Sequence, residues 1–170
     1  MVVAAIFLIV PLCLSFAALN DLFSMTIPNV ISAVLLLSFV IVAPLAGMDF
    51  QTLSLSLAAG LAVFAGCFML FATNVMGGGD AKLLTGAAVW YGLNVSLLEF
   101  LLAVTMLGGL LTVGILLLRS RSQEIMAIGI PIPDSLLVAK KIPYGIGIAM
   151  AGLITYGEAP IVKAAIASLN

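Results

Sequence analysis

The chain has 170 residues, 64% of them hydrophobic and 8% charged, with a formal net charge of −1 and a mean hydropathy of +1.36. Soluble domains carry about 25% charged residues, so water is not the main solvent here, and no basic run is present to attract nucleic acid. Histidine is absent, and the two cysteines, Cys13 and Cys67, stand singly in apolar runs; neither a metal site nor a disulfide framework is expected, and no cofactor.

A membrane-spanning helix needs about 20 mostly apolar residues, and six segments approach that. The expected fold is all-α: a polytopic membrane protein of six transmembrane helices, forming one integral-membrane domain over residues 1–170. The first segment runs over about 2–20 and is closed by Asp21. No Lys or Arg precedes it, so it reads as a retained helix rather than a secretory signal. The second begins after Thr26-Ile27-Pro28-Asn29 and runs to about 46. Thr26 suits a cap, and Pro28 suits a first turn because its missing N–H would be unpaired there anyway. A tight turn at this point brings the second helix back beside the first.

The third segment covers about 53–73 and stops at Asn74 and Gly77-Gly78-Gly79. Each glycine costs about 1 kcal/mol relative to Ala in a helix interior, so the run reads as a break that leaves bare backbone open to close approach. The fourth starts near Asp80 and runs to about 97, broken toward its end by Gly92 and Asn94; the fifth covers about 98–118, with only Asn94, Ser96 and Glu99 marking the turn. The sixth starts near Ile142, with Pro143 in its first turn, and fades after Tyr156. The connection 119–141 is partly polar, and Pro131 and Pro133 forbid one continuous helix through it. An interfacial connector and a cover over the site both remain open for it.

Charge orients this arrangement. Lys82, Arg119, Arg121, Lys140 and Lys141 fall on one side and Lys163 on the other. Basic residues near helix ends mark the cytoplasmic face, which puts Asp21 and Asp80 there and both termini outside.

Two acids at helix ends on one membrane face are the candidate site, since an ionisable residue at that depth is functional by default. Asp80 also has a bland role as a helix cap, but three glycines give more clearance than a cap requires. Two neighbouring carboxyls cannot both ionise cheaply and so share one proton. One can then activate water while its protonated partner polarises a peptide carbonyl. Asp80 at a helix N-terminus feels a field that favours its anion, and Asp21 at a C-terminus the reverse; the expected base is Asp80 and the expected acid Asp21. Lys82 is either an interfacial anchor or a charge that keeps Asp80 ionised. A small proton- or cation-coupled transporter subunit is the alternative use of the same acids.

Gly77-x-Gly79-Asp80 with Ala81-Lys82, preceded by Asp21-x5-Ile27-Pro28-Asn29 and followed by Lys140-Lys141-Ile142-Pro143-Tyr144-Gly145, resembles the GxGD pattern of the type IV prepilin peptidase family. The likeness is nearest to its short members, which serve tight-adherence (Flp-type) pili. That resemblance implies an integral inner-membrane aspartic endopeptidase with Asp21 and Asp80 as its catalytic pair. It would remove the leader of prepilins and pseudopilins at the cytoplasmic face. Gly77, Gly78, Gly79, Lys82, Ile27, Pro28, Asn29, Pro143, Tyr144 and Gly145 would shape the site. The lipid bilayer is a further partner; pilus-assembly machinery and a second copy of the chain stay open. Leu22-Phe23-Ser24-Met25-Thr26 lacks the basic residue many relatives carry. Larger members add a paired CxxC insert and methylate the new N-terminus; this chain has neither the cysteines nor the length, so proteolysis without methyl transfer is expected.

Overall fold

The computed structural model describes residues 1–121 and 142–169. Among these, every regular element is helical: α1 (Val2–Ser24), α2 (Asn29–Leu45), α3 (Phe50–Ala72), α4 (Gly78–Tyr91), α5 (Val95–Ser120), α6 (Tyr144–Thr155), a 3₁₀ turn (Tyr156–Glu158) and α7 (Pro160–Ala167). Lys140, Lys141 and most of the 119–141 connection lie outside the described residues.

The all-helical class and the membrane character hold. Helices α1, α3 and α5 are long and apolar enough to cross a bilayer, and α6 with α7 makes a fourth if that pair, bent by 43°, is counted as one span. Six spans are not reached on this criterion. At 1.5 Å per residue, the 17 residues of α2 and the 14 of α4 rise only about 26 and 21 Å, short of a hydrocarbon layer of about 30 Å. Large apolar side chains such as Leu8, Leu12, Phe16, Leu102, Met106 and Leu110 are exposed on the long helices. In water such faces would drive aggregation; against lipid they carry no penalty.

Helix α4 is the axis of the bundle. Ala81, Leu83, Leu84 and the whole run from Gly86 to Tyr91 are buried, with α2, α3 and α6 packed around them. Small residues make that enclosure fit, as they do between membrane helices generally. A Cβ on Gly86 would stand 3.1 Å from the Ser32 carbonyl oxygen, and one on Gly60 of α3 would stand 2.5 Å from Val89 Cγ1.

The far end of α4 is clamped by aromatics. Trp90 Nε1 donates to the Leu35 carbonyl at 3.0 Å, the Tyr91 hydroxyl reaches the Gly152 carbonyl at 3.1 Å, and the Tyr156 hydroxyl donates to the Ile6 carbonyl at 2.8 Å. Tyr91 stacks on Phe100 with centroids 4.5 Å apart. Tyr156 meets Trp90 and Tyr91 edge-on, so that α1, α2, α5 and α6 are all tied to this helix end and the polar groups of the three aromatics are satisfied.

Several local expectations are revised. Gly78 and Gly79 do not break a helix; they form the first turn of α4, with Gly77 at the N-cap and Asp80 third in the helix. Glycine costs little where the N–H groups have no intrahelical partner in any case. Of the expected breakers it is Asn74 that stops helix α3, at φ 59°. The Asn74 N–H bonds to the Phe71 carbonyl and that of Val75 to the Leu70 carbonyl, the Schellman pattern with Asn in the left-handed position. Pro28 and Pro143 are N-caps of α2 and α6 rather than first-turn residues. Thr26 caps nothing; its hydroxyl lies 3.0 Å from that of Ser24. Helix α5 begins at Val95, three residues ahead of expectation, because Asn94 accepts from the Ser96 N–H and caps it. The chain does not fade after Tyr156: Pro160 starts α7.

Candidate functional site

The last turn of α1, the first turn of α4 and the start of α6 meet at one end of the bundle. Asp21 lies inside α1, which runs on to Ser24, and is buried with 5% exposure. Asp80 is half-buried. Both carboxyls line a single cavity of about 240 Å³, together with Met25, Thr26, Ile27, Asn29, Gly77, Gly78, Gly79 and Ile142. A second chamber of about 390 Å³ adjoins it and shares Gly77, Gly78, Asp80 and Ile142.

Asp21 is held from across the chain. Its Oδ2 accepts the Gly145 N–H at 2.7 Å, which fixes the carboxyl rotamer and leaves Oδ1 for a proton or a further partner. Glycine is required at 145 on steric grounds: a Cβ there would stand 2.8 Å from Asp21 Oδ2 and 2.8 Å from Ile27 Cδ1. Pro143 at the N-cap, with φ −74°, starts α6 so that this amide, still without an intrahelical acceptor, points outward from the helix end.

Ile27 is the wedge between the two acid-bearing regions. Its Cδ1 lies against Gly145, and its Cβ would stand 3.2 Å from a Cβ on Gly79. Gly78 lies under the ring of Phe71, 3.3 Å from where its own Cβ would be. The Asp80 carboxylate turns back over Gly77, where an added Cβ would meet Oδ2 at 2.7 Å. The three glycines thus serve three different close approaches.

Lys82 Nζ donates to Asn29 Oδ1 at 2.9 Å, tying α4 to the first residue of α2. Tyr144 packs over Gly108 of α5, where an added Cβ would stand 3.3 Å from its ring, and its hydroxyl lies 3.3 Å from that of Thr112. Pro28 is not among the residues lining the cavity with the acids; it acts through the entry angle of α2. Met25, Thr26 and Ile142 do line it although none is among the expected site residues. Met25 carried a signal only in retrospect: it closes α1 in the left-handed region at φ 52°, where a non-glycine residue is uncommon. No group of three or more His, Cys, Asp or Glu side chains is placed to hold a metal among the described residues.

No curated protein and no solved structure shows a significant match to the chain. The sequence model of the type IV leader peptidase family matches residues 8–113, a stretch that contains both acids, the Ile27-Pro28-Asn29 turn and the three glycines. With more than half its length matched, this chain belongs to the type IV leader peptidase family.

Proposed function

We propose that the chain is an aspartic endopeptidase in which Asp21 and Asp80 activate one water between them. It would remove the leader of a prepilin or pseudopilin, of the Flp type on the resemblance of its motifs. The observation that carries this reading is the common cavity: residues 59 positions apart, on different helices, present carboxyls to the same 240 Å³ space. Family membership supports a leader-peptide bond as the one cut.

The reaction needs only the two side chains. Asp80, in the first turn of α4, lies in the positive field of a helix N-terminus and is the anion; Asp21, in the last turn of α1, carries the shared proton on Oδ1. The Asp80 carboxylate takes a proton from water as its oxygen attacks the scissile carbonyl carbon. The Asp21 O–H stabilises the oxyanion that forms. Collapse of the tetrahedral adduct breaks the C–N bond. Asp80 passes its proton to the departing amine, which leaves the pair with the one proton on Asp21 that it began with, and the product carboxyl loses its own proton to water.

In the bilayer we place the acids at the cytoplasmic face of the inner membrane, on the distribution of the basic residues. All six helical segments then cross, with α4 enclosed by its neighbours and so released from the length a lipid-facing helix needs. Proteolysis without methyl transfer completes the reading. Co-expression with a prepilin tests it. Wild type should shorten the prepilin, while Asp21→Ala and Asp80→Ala, present at the same level, leave it uncut. Processing retained in either variant overturns the assignment.

A further inference from the structure

Helix α6 supplies the amide that holds Asp21, yet its own sequence does little to hold it in place. Gly145, Gly147 and Gly152 fall within its 12 residues, and a glycine costs about 1 kcal/mol relative to Ala in a helix interior. The position of its first turn is therefore set by the helices it packs on, chiefly α1 and α5. On the α1 side lies Asp21 itself. On the α5 side, Gly108 meets α6 twice. A Cβ on Gly147 would stand 3.1 Å from the Gly108 Cα, so the two backbones touch; a Cβ on Gly108 would stand 3.3 Å from the Tyr144 ring. One turn along α5, the Thr112 hydroxyl donates to the Gly108 carbonyl at 2.7 Å and lies 3.3 Å from the Tyr144 hydroxyl. Gly108 and Thr112 thus form a seat for the first residue of α6, and the second residue is Gly145.

We infer that Gly108 and Thr112 of α5 are positioning residues for Asp21, acting through Tyr144 on the Gly145 amide. The inference rests on the proposed peptidase reading. Neither residue lines the cavity that holds the two acids, so their effect must travel. The path is short and stiff. The Gly145 N–H belongs to the rigid peptide plane that begins at the Tyr144 Cα, and one hydrogen bond of 2.7 Å joins it to Asp21 Oδ2. The far end has no slack either, since Asp21 and Ile27 leave no room for a Cβ at Gly145. A shift of the Tyr144 ring on its seat is passed to the carboxyl. A misplacement of about 1 Å can cost about 100-fold in rate, and a few tenths of that displacement should cost about tenfold. The wide separation along the chain explains the device: α5 fixes where α6 starts, and α6 fixes how the acid of α1 points.

The test is the kcat and KM of prepilin-peptide cleavage by the full chain reconstituted in vesicles, well below the melting temperature of each variant. Tyr144 also borders the second chamber, so it is left untouched and α5 alone is changed. Gly108→Ala, whose new methyl presses on the Tyr144 ring, should lower kcat about tenfold with KM within about twofold of wild type. Thr112→Val keeps the shape, removes the hydroxyl and should act in the same direction; Thr112→Ser, which keeps the hydroxyl, should restore kcat. Thr105→Val removes a hydroxyl from the exposed side of the same helix and should leave kcat unchanged. In a Gly145→Ala background, where the bond to Asp21 is already displaced, Gly108→Ala should change kcat by less than about twofold. Wild-type kcat in both Gly108→Ala and Thr112→Val, an equal loss in Thr112→Val and Thr112→Ser, or losses that multiply in the Gly145→Ala background overturn the positioning role and leave the peptidase reading intact. Full activity in Asp21→Ala overturns the peptidase reading, and this inference with it.

Discussion

The amide of Gly145 donates to Asp21 Oδ2 at 2.7 Å across 124 positions of sequence. One end of α6 is thereby bound to a carboxyl on α1, and there is no room for a side chain between them. The rotamer of a candidate catalytic acid is set by backbone, which no side-chain substitution elsewhere can imitate.

Gly145→Ala should therefore act on chemistry more than on folding. The added Cβ must move Asp21 Oδ2 or Ile27 Cδ1, each 2.8 Å away, and a displacement of about 1 Å can cost about 100-fold in rate. The expected result is a fall in kcat/KM of that order with the melting temperature little changed. Gly77→Ala should do the same to Asp80, whose Oδ2 lies 2.7 Å from the new methyl. Peptide cleavage and thermal melting of the same preparations check both.

At the opposite end of α4, Tyr91→Phe should show the reverse pattern. It removes a hydroxyl that meets the Gly152 carbonyl at 3.1 Å and the Thr155 hydroxyl at 2.9 Å, leaving buried acceptors short of a partner. The expected loss is about 1–3 kcal/mol of stability. Cleavage at a temperature where the variant is fully folded should stay within about twofold of wild type. Thermal unfolding in detergent, read beside activity, separates the two effects.

Lys82 and Asn29 form one device, linked at 2.9 Å, and both are exposed. Lys82→Met and Asn29→Ala should each cost under about 1 kcal/mol, since even an exposed ion pair contributes no more than that. The double variant should be no worse than the more damaging single one. A double-mutant cycle on the unfolding midpoint reads the coupling directly.

Asp49 caps α3, accepting from the Thr52 hydroxyl at 2.6 Å and from its N–H at 3.1 Å. These two donors hold its carboxyl below the ordinary value. Because the folded-state value is the lower one, this contribution is present above the unfolded-state pKa of about 3.9 and is lost as pH falls through the folded value. Wild type should exceed Asp49→Ala in melting temperature at pH 7, and the gap should narrow in strong acid. Melting curves across pH 7 to 3 give the comparison.

Much of this was legible in the sequence, for identifiable reasons. Hydropathy located the apolar segments as far as Tyr156. Asp21, Gly79 and Asp80 stood out as acids and glycines in places where a membrane helix has no ordinary use for them, and Ile27 came only from the resemblance of its motif. What stayed hidden depends on distance in three dimensions. That Gly78 and Gly79 belong inside α4 is decided by Phe71 and Ile27 resting on them, which no local propensity encodes. The aromatic clamp of Trp90, Tyr91 and Tyr156 looked like ordinary apolar sequence; its hydrogen bonds run 55, 61 and 150 positions away. Pro28 and Pro143 were assigned to first turns because proline is common there, yet each stands one position earlier, where its ring fixes the approach of the chain rather than the helix itself. Gly92 and Asn94 mark a break toward the end of the fourth segment, and the helix stops there outright: Gly92, at φ 70°, ends α4 at 14 residues.

The central claim is that residues 21 and 80 act as one unit. Its most direct test is the rate of prepilin-peptide cleavage by purified, reconstituted Asp21→Asn, Asp80→Asn and the double variant. Groups that act jointly are grossly non-additive, so each single change should abolish turnover to within about tenfold of the double. A single variant that keeps a substantial fraction of wild-type rate, or two partial losses that multiply in the double, would contradict it.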